Sequence, residues 1–242
     1  MTKARCTPLW QPIPCPLSDI EGLESWLGDM AAQGLVPVTI GQNFARFRCS
    51  QPKAVRYRLN AKPTPETFLE SAPGTPDGEE RALAQEYGWY YVTAVGDFFL
   101  YACEDSDAPE LNTDPQVQAL SLRYAKRQVF APAGLLAYWL VTFWVRYAMG
   151  VWHTPVIDFV ELGWLSFCYL GLLAAALVSV VHNTVLLYRF SARLTRGAEP
   201  ERHKNWRNGA GRYLVGRVLA ALLFVLTIVW TFAGSVSYTH LR

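Results

Sequence analysis

No histidine occurs before position 153; the four in the chain are His153, His182, His203 and His240. That absence excludes a Ser–His or Cys–His catalytic pair from the first half of the sequence. The chain has no GxGxxG, no GxxxxGK(S/T), no HExxH and no CxxC spacing, so nothing supports a phosphate-cradling loop or a zinc site. Its five cysteines, Cys6, Cys15, Cys49, Cys103 and Cys168, are an odd number at irregular spacing, and in a cytosolic domain they are expected to stay reduced. Charge is absent too: residues 162–188 contain no Asp, Glu, Lys or Arg. No catalytic, cofactor-binding or metal-ligating residue is assigned, and the expectation is a protein that is not an enzyme.

What is present divides the chain in two. Residues 1–120 carry 9 Lys/Arg against 16 Asp/Glu, a net of −7, and the remainder carries 13 against 4, a net of +9. An acidic half joined to a basic, apolar half suggests a soluble domain tethered to a membrane. The apolar half holds three runs, at 129–150, 162–188 and 213–235, each long enough to cross a bilayer at 1.5 Å per residue and about 20 residues per span. The expectation is an all-α transmembrane bundle.

Basic residues in the flanks orient the spans. Arg123, Lys126 and Arg127 precede the first run. The segment between the first two has none, whereas Arg189, Arg193, Arg196, Arg202, Lys204, Arg207 and Arg212 lie between the last two. By the positive-inside rule the first flank and the long loop are cytoplasmic, and the N-terminal domain with them. The expected location is the bacterial cytoplasmic membrane, multi-pass, with the lipid bilayer as a partner. The ending SVSYTHLR does not suit a helix exit on the outer face. Residues 236–242 resemble translated adaptor read-through, with the expectation that the natural protein continues into at least a fourth span.

Four prolines within the first 16 residues rule out a signal-peptide helix, and residues 1–17 read as an irregular segment. Residues 18–113 read as an α+β domain with an internal repeat. Each unit opens with a helical pattern, Ile20, Leu23, Trp26, Leu27 and Met30 after Ser18 as N-cap, or Ala82, Leu83 and Tyr87 after Asp77. Each helix stops at a glycine that supplies a left-handed cap, Gly34 or Gly88. Two strands follow, LVPVTI with FARFRC or WYYVTAV with FFLYAC, joined by turns at Gly41–Asn43 and Gly96–Asp97. At an offset of 54, Val38 matches Val92, Thr39 matches Thr93, Phe47 matches Tyr101 and Cys49 matches Cys103. With AVRYRLN as a further strand, the reading is a duplicated α-β-β unit: two helices on one face of an antiparallel sheet of about five strands, ferredoxin-like in character. Asp114, before Pro115, caps a connecting helix over 114–128 that continues into the first span.

Candidate site residues are few. Arg46, Arg48, Arg56 and Arg58 alternate with apolar residues on neighbouring strands, so that all four can share one sheet face as an anion-binding or partner surface. A solvated face paired with Glu and Asp is the plainer reading. As small buried strand residues, Cys49 and Cys103 are more simply read as core than as a redox pair. His182 and Asn183 form a candidate polar site within the second span, although both lie close enough to Arg189 to reach the interface. The acidic balance of the domain argues against nucleic-acid binding.

The helix LESWLGDMAAQGL, the strand AVRYRLN after a proline, the start GWYYV, the hairpin FFLYACED and the later ELNTD resemble a bacterial family of membrane proteins, domain of unknown function 2812. The likeness covers roughly residues 18–130. It implies a membrane-anchored product often encoded beside PadR-type repressors, and it brings no catalytic residues. The functional expectation is a non-enzymatic regulatory or sensor protein whose cytoplasmic domain binds a partner or small ligand, with the helix over 114–128 as transmitter. The rival is a transport or immunity and resistance component of the membrane, which intramembrane acidic residues would support; the three runs contain none.

Overall fold

The computed structural model describes residues 9–63, 73–111, 114–123, 125–126, 128, 138, 141, 145, 148–149, 164–198, 200–201 and 203–239. The chain divides into two compact units, Met1–Gln128 with Asn183–Gly211, and Val129–His182 with Arg212–Arg242.

Within the first unit, β1 (Leu9–Pro12), α1 (Ile20–Ala32), β2 (Leu35–Ile40) and β3 (Phe44–Cys49) precede β4 (Arg56–Ala61), α2 (Gly78–Glu86), β5 (Tyr90–Val95) and β6 (Phe98–Cys103). The strands form two three-stranded antiparallel sheets, ordered β1-β3-β2 and β4-β6-β5. The single sheet of about five strands is therefore corrected to two. Their outer strands β2 and β5 lie side by side without joining. Pro37 has no N–H to donate from β2, and each outer strand is interrupted by a register shift, between Pro37 and Thr39 and between Tyr91 and Thr93. A second correction concerns Leu9–Pro12, expected within an irregular segment. This stretch pairs with β3, Leu9 opposite Phe47, and Pro12 is tolerated because β1 is an edge strand.

Helix α1 is specified by its apolar spacing. Ile20, Leu23, Trp26, Leu27 and Met30 are buried and recur at three- and four-residue intervals, one face of a helix. Trp26 meets Phe47 edge to face, with ring centroids 5.5 Å apart. The N-cap is Asp19 rather than Ser18: the Asp19 carboxylate accepts from Gly22 N at 3.1 Å, while the Ser18 hydroxyl donates to Asn183. Both helices end as their glycines require, since Gly34 and Gly88 each adopt φ +81°. At α2, Gly88 N donates to Gln85 O and Trp89 N to Ala84 O, the paired bonds of a Schellman cap. Among the described residues only glycines have positive φ. The left-handed turn residue of the second hairpin is thus Gly96 and not Asp97. Trp89, Phe99, Tyr101 and Cys103 form a fully buried cluster beneath Ala84 of α2.

Asp114 caps α3 (Pro115–Ser121) as the sequence indicates, its carboxylate accepting from Val117 N at 3.4 Å. The helix is seven residues long and gives way to a turn at Leu122 before further helical residues. The 129–150 run, and any continuation of the connecting helix into it, fall largely outside the described residues.

The other two apolar runs are the helices α4 (Trp164–Thr195, 32 residues) and α5 (Arg207–Thr239, 33 residues). Stretches of both are long and apolar enough to cross a membrane: Gly171–Thr195 at mean hydropathy 1.7 and Arg207–Leu226 at 1.6. Most of their apolar side chains face outward, with Val178 68% and Leu226 57% exposed, while Leu187, Phe190 and Leu194 near the end of α4 are buried. They approach each other at Gly171, where an added Cβ would sit 3.4 Å from Leu223, as small residues permit between spanning helices. Helix α4 extends past the 188 boundary read from the sequence. It closes at Gly197 (φ +76°) with a Schellman cap, Gly197 N to Leu194 O and Ala198 N to Arg193 O. Arg189 and Arg193 thereby become helical residues.

Candidate functional site

The four arginines do not share a face. Arg46 and Arg48 are exposed on β3 of the first sheet, whereas Arg56 and Arg58 are half-buried on β4 of the second. In sequence both pairs alternate with apolar residues; the surroundings separate them. The acidic tail after β6 folds back over β4 and occupies its arginines. Arg58 holds Glu110 through two bonds, Nε to Oε2 at 2.8 Å and Nη2 to Oε1 at 3.0 Å. This forked geometry fixes both partners. Its Nη1 reaches Glu24 Oε2 of α1 at 3.3 Å. Arg56 stacks over the Trp89 ring and donates to Asp105 O and Ala108 O, both at 2.7 Å. Trp89 Nε1 adds a bond to Pro109 O at 2.8 Å.

Glu24 is the buried centre of this network. Its Oε1 accepts from Leu59 N at 2.7 Å, so α1 satisfies a backbone donor of β4. Burial pushes the Glu24 carboxyl from its ordinary 4.5 up to about 7, against the pull of Arg58 and of the Leu59 N–H. A raised folded-state value means that the folded protein holds this proton more tightly than the unfolded chain. The contribution is complete below about pH 4.5 and is lost as pH rises through about 7. Full-length protein in detergent should therefore lose urea resistance between those limits. Glu24→Gln, which keeps an acceptor for Leu59 N, should flatten that slope.

A second group of contacts, unforeseen from the sequence, lies on the polar face of α1. Glu21, Ser25 and Asp29 are four residues apart and so line one stripe, and Asp19 stands at its head. Arg193, Glu201, Lys204, Trp206 and Arg207 contact this stripe and its cap. Glu21, whose side chain is only 2% exposed, takes the Arg193 guanidinium on Oε2 and accepts from Glu201 N on Oε1 at 2.9 Å. Lys204 donates its N–H to Ser25 Oγ at 3.0 Å and its Nζ to Asp19 Oδ1 at 2.6 Å. Asp29 Oδ2 accepts from Trp206 Nε1 at 3.0 Å and Arg207 Nη2 at 3.1 Å. The signal was available: a four-residue polar spacing, Glu21, Ser25 and Asp29, in an acidic domain and a basic loop elsewhere. Only long-range folding brings the two together.

Beside the stripe opens a cleft of about 490 Å³, lined by Asp19, Glu21, Arg189, Arg193, Arg196, Glu201 and Lys204 with the apolar Ile20, Leu186 and Phe190. Of the candidate intramembrane pair, Asn183 binds Ser18 and His182 is exposed on α4. Cys103 and Cys15 are free and buried, and burial, reinforced by Asp19, pushes the Cys15 thiol up to about 12, which makes it a poor nucleophile. Cys49 is disulfide-bonded, contrary to the expectation of reduced thiols, and Cys103 is not its partner. Among the described residues no group of His, Cys, Asp and Glu is arranged to hold a metal ion.

No curated protein and no solved structure matches the chain. A family model does match residues 19–133, from the cap of α1 to a point beyond α3, and leaves the basic segment on the α1 stripe outside its span. That family is described as "Protein of unknown function (DUF2812)", and residues 19–133 are a domain of it.

Proposed function

We propose that this is a non-enzymatic regulatory or sensor protein of the bacterial cytoplasmic membrane, multi-pass, whose N-terminal domain receives a signal through the segment docked on α1. One observation carries the reading. The last turns of α4, whose preceding turns are apolar enough to span a bilayer, are tied by Arg193 to the buried Glu21 carboxylate of the domain. A movement of α4 along its axis would load this ion pair and the bonds of Glu201 and Lys204 beside it. That route is better supported than the helix over 114–128, which is interrupted at Leu122.

The orientation proposed is cytoplasmic, because the basic loop and the domain belong to one compact unit and the loop carries the positive-inside bias. The disulfide at Cys49 points the other way, toward an oxidising compartment. A fluorescent protein that matures only in the cytoplasm, fused before Met1, separates them: fluorescent cells are expected, and dark cells with full expression overturn the orientation.

We also read the domain as an internal duplication with ferredoxin-like character, now extended to a β-α-β-β unit. Equal strand order in the two sheets, the caps at Gly34 and Gly88 and the register shifts at the same offset support that reading.

Full-length protein in nanodiscs of differing lipid thickness and charge tests the sensor function. Amide hydrogen exchange over residues 19–32 and 200–207 should change with the bilayer while the strands of both sheets stay constant. Protection that is identical in every bilayer, together with solute flux in vesicles, would establish the transport alternative instead.

A further inference from the structure

The cleft beside α1 contains cations that the docking contacts leave over. Arg193 is taken by Glu21, and Lys204 by Asp19 with Glu21 at 4.0 Å. Arg189 and Arg196 line the same cleft, both are exposed, and neither has an acidic partner among the described residues. Residues 189, 193 and 196 follow the four- and three-residue spacing that places them on one side of α4. Of the lining carboxylates, Asp19 and Glu21 are the ones taken by Lys204 and Arg193, and Glu201 is the third. Apolar walls, Ile20, Leu186 and Phe190, complete the lining.

Two guanidinium groups beside apolar walls match one ligand chemistry. Each guanidinium offers a planar fork of donors suited to phosphate oxygens. Folding has already neutralised Arg193 and Lys204 with Glu21 and Asp19, whereas among the described residues no carboxylate pairs with Arg189 or Arg196. The position along the chain adds a second argument. Arg189 and Arg193 occupy the last turns of a stretch apolar enough to span a bilayer and Arg196 is its cap, and basic pockets at such helix ends receive lipid headgroups.

We propose that this cleft binds a phosphate group between Arg189 and Arg196, either the headgroup of an anionic lipid or a soluble phosphate. The site deepens the sensor reading by naming a ligand class, but it does not need it: the cleft can bind phosphate in a protein that transmits nothing.

The test uses full-length protein and three preparations: nanodiscs of phosphatidylcholine alone, the same discs with added inorganic phosphate, and discs containing phosphatidylglycerol. Hydrogen exchange at Glu201 and Lys204 and lipid retention in native mass spectrometry are the readouts. Retention of phosphatidylglycerol with added protection identifies a lipid headgroup; protection by inorganic phosphate in neutral discs identifies a soluble ligand. In either case Arg189→Ala/Arg196→Ala should weaken binding about tenfold or more, the loss of one strong charge-assisted contact or better. The control Arg123→Ala/Arg212→Ala removes the same charge outside the cleft and should change affinity little. Equal weakening by both pairs would show diffuse attraction of a basic surface, and no binding in any preparation would show an empty cleft. Either result overturns the proposal, and neither bears on whether the α1 contacts respond to the bilayer.

Discussion

Above about pH 7, where the Glu24 carboxyl is ionised, Arg58→Ala is expected to destabilise the N-terminal domain by about 3–5 kcal/mol, the cost of leaving a buried charge without its partner. The side chain is 13% exposed and faces Glu24, at 7%. It also carries the forked bonds that hold Glu110 and the returning tail. Removing it strands the Glu24 carboxylate, whose remaining donor is Leu59 N, and releases the tail from β4. Pulse proteolysis of full-length protein across a urea series measures the loss. A companion variant locates its origin. Glu24→Gln should cost much less, because an amide oxygen still accepts from Leu59 N and carries no charge to bury. The double variant Arg58→Ala/Glu24→Gln should then be more stable than the sum of the two singles predicts. If Arg58→Ala falls within about 0.5 kcal/mol of the parent, the range of an ordinary surface change, the network is not structural.

The two arginine pairs mark a limit of sequence reading. In FARFRC and RYRLNA the arginines alternate with apolar residues in the same way, and alternation alone reports a strand with one buried face. The partners of Arg56 and Arg58 lie about fifty residues away, in a tail whose own composition gives only its acidity. What was legible was local. Gly34 and Gly88 each stand where a helix must end on a left-handed residue, and only glycine adopts that conformation at no steric cost. The core of α1 could be read from its spacing, and α4 and α5 from their long apolar runs. β1 was hidden because prolines crowd around it, and its pairing with β3 spans more than thirty residues. The division into two sheets was equally invisible, since strand patterns carry no record of which edges meet. The same applies to the α1 stripe: its spacing was plain, but its occupant comes from the other end of the chain.

That stripe gives the second large expected effect. Glu21→Ala should free the segment from Arg196 to Arg207, at a cost of about 3 kcal/mol, since a hydrogen bond to a charged group contributes about 1.5–3 kcal/mol and Glu21 accepts from both Arg193 Nη2 and Glu201 N. Burial makes Glu21 the dominant contact: its side chain is 2% exposed. The neighbouring Asp29–Arg207 pair, at 44% and 68% exposure, sits in high dielectric and contributes little. Asp29→Ala should accordingly leave the segment docked. Hydrogen exchange distinguishes these outcomes residue by residue. In Glu21→Ala, the Glu201 amide loses its acceptor and should exchange about a hundredfold faster, since about 1.4 kcal/mol corresponds to a tenfold change. In Ser25→Ala, only the Lys204 amide should accelerate, because its acceptor is Ser25 Oγ, while Glu201 stays protected. Amides of β3 and β6 should not respond in either variant, because those strands bond within their own sheets. Uniform acceleration across the strands would mean that Glu21 supports the whole domain instead of fastening one segment to α1. Unchanged exchange at Glu201 would mean that the segment is held by its exposed ion pairs alone, and raising the salt concentration, which screens exposed pairs, would then be expected to release it.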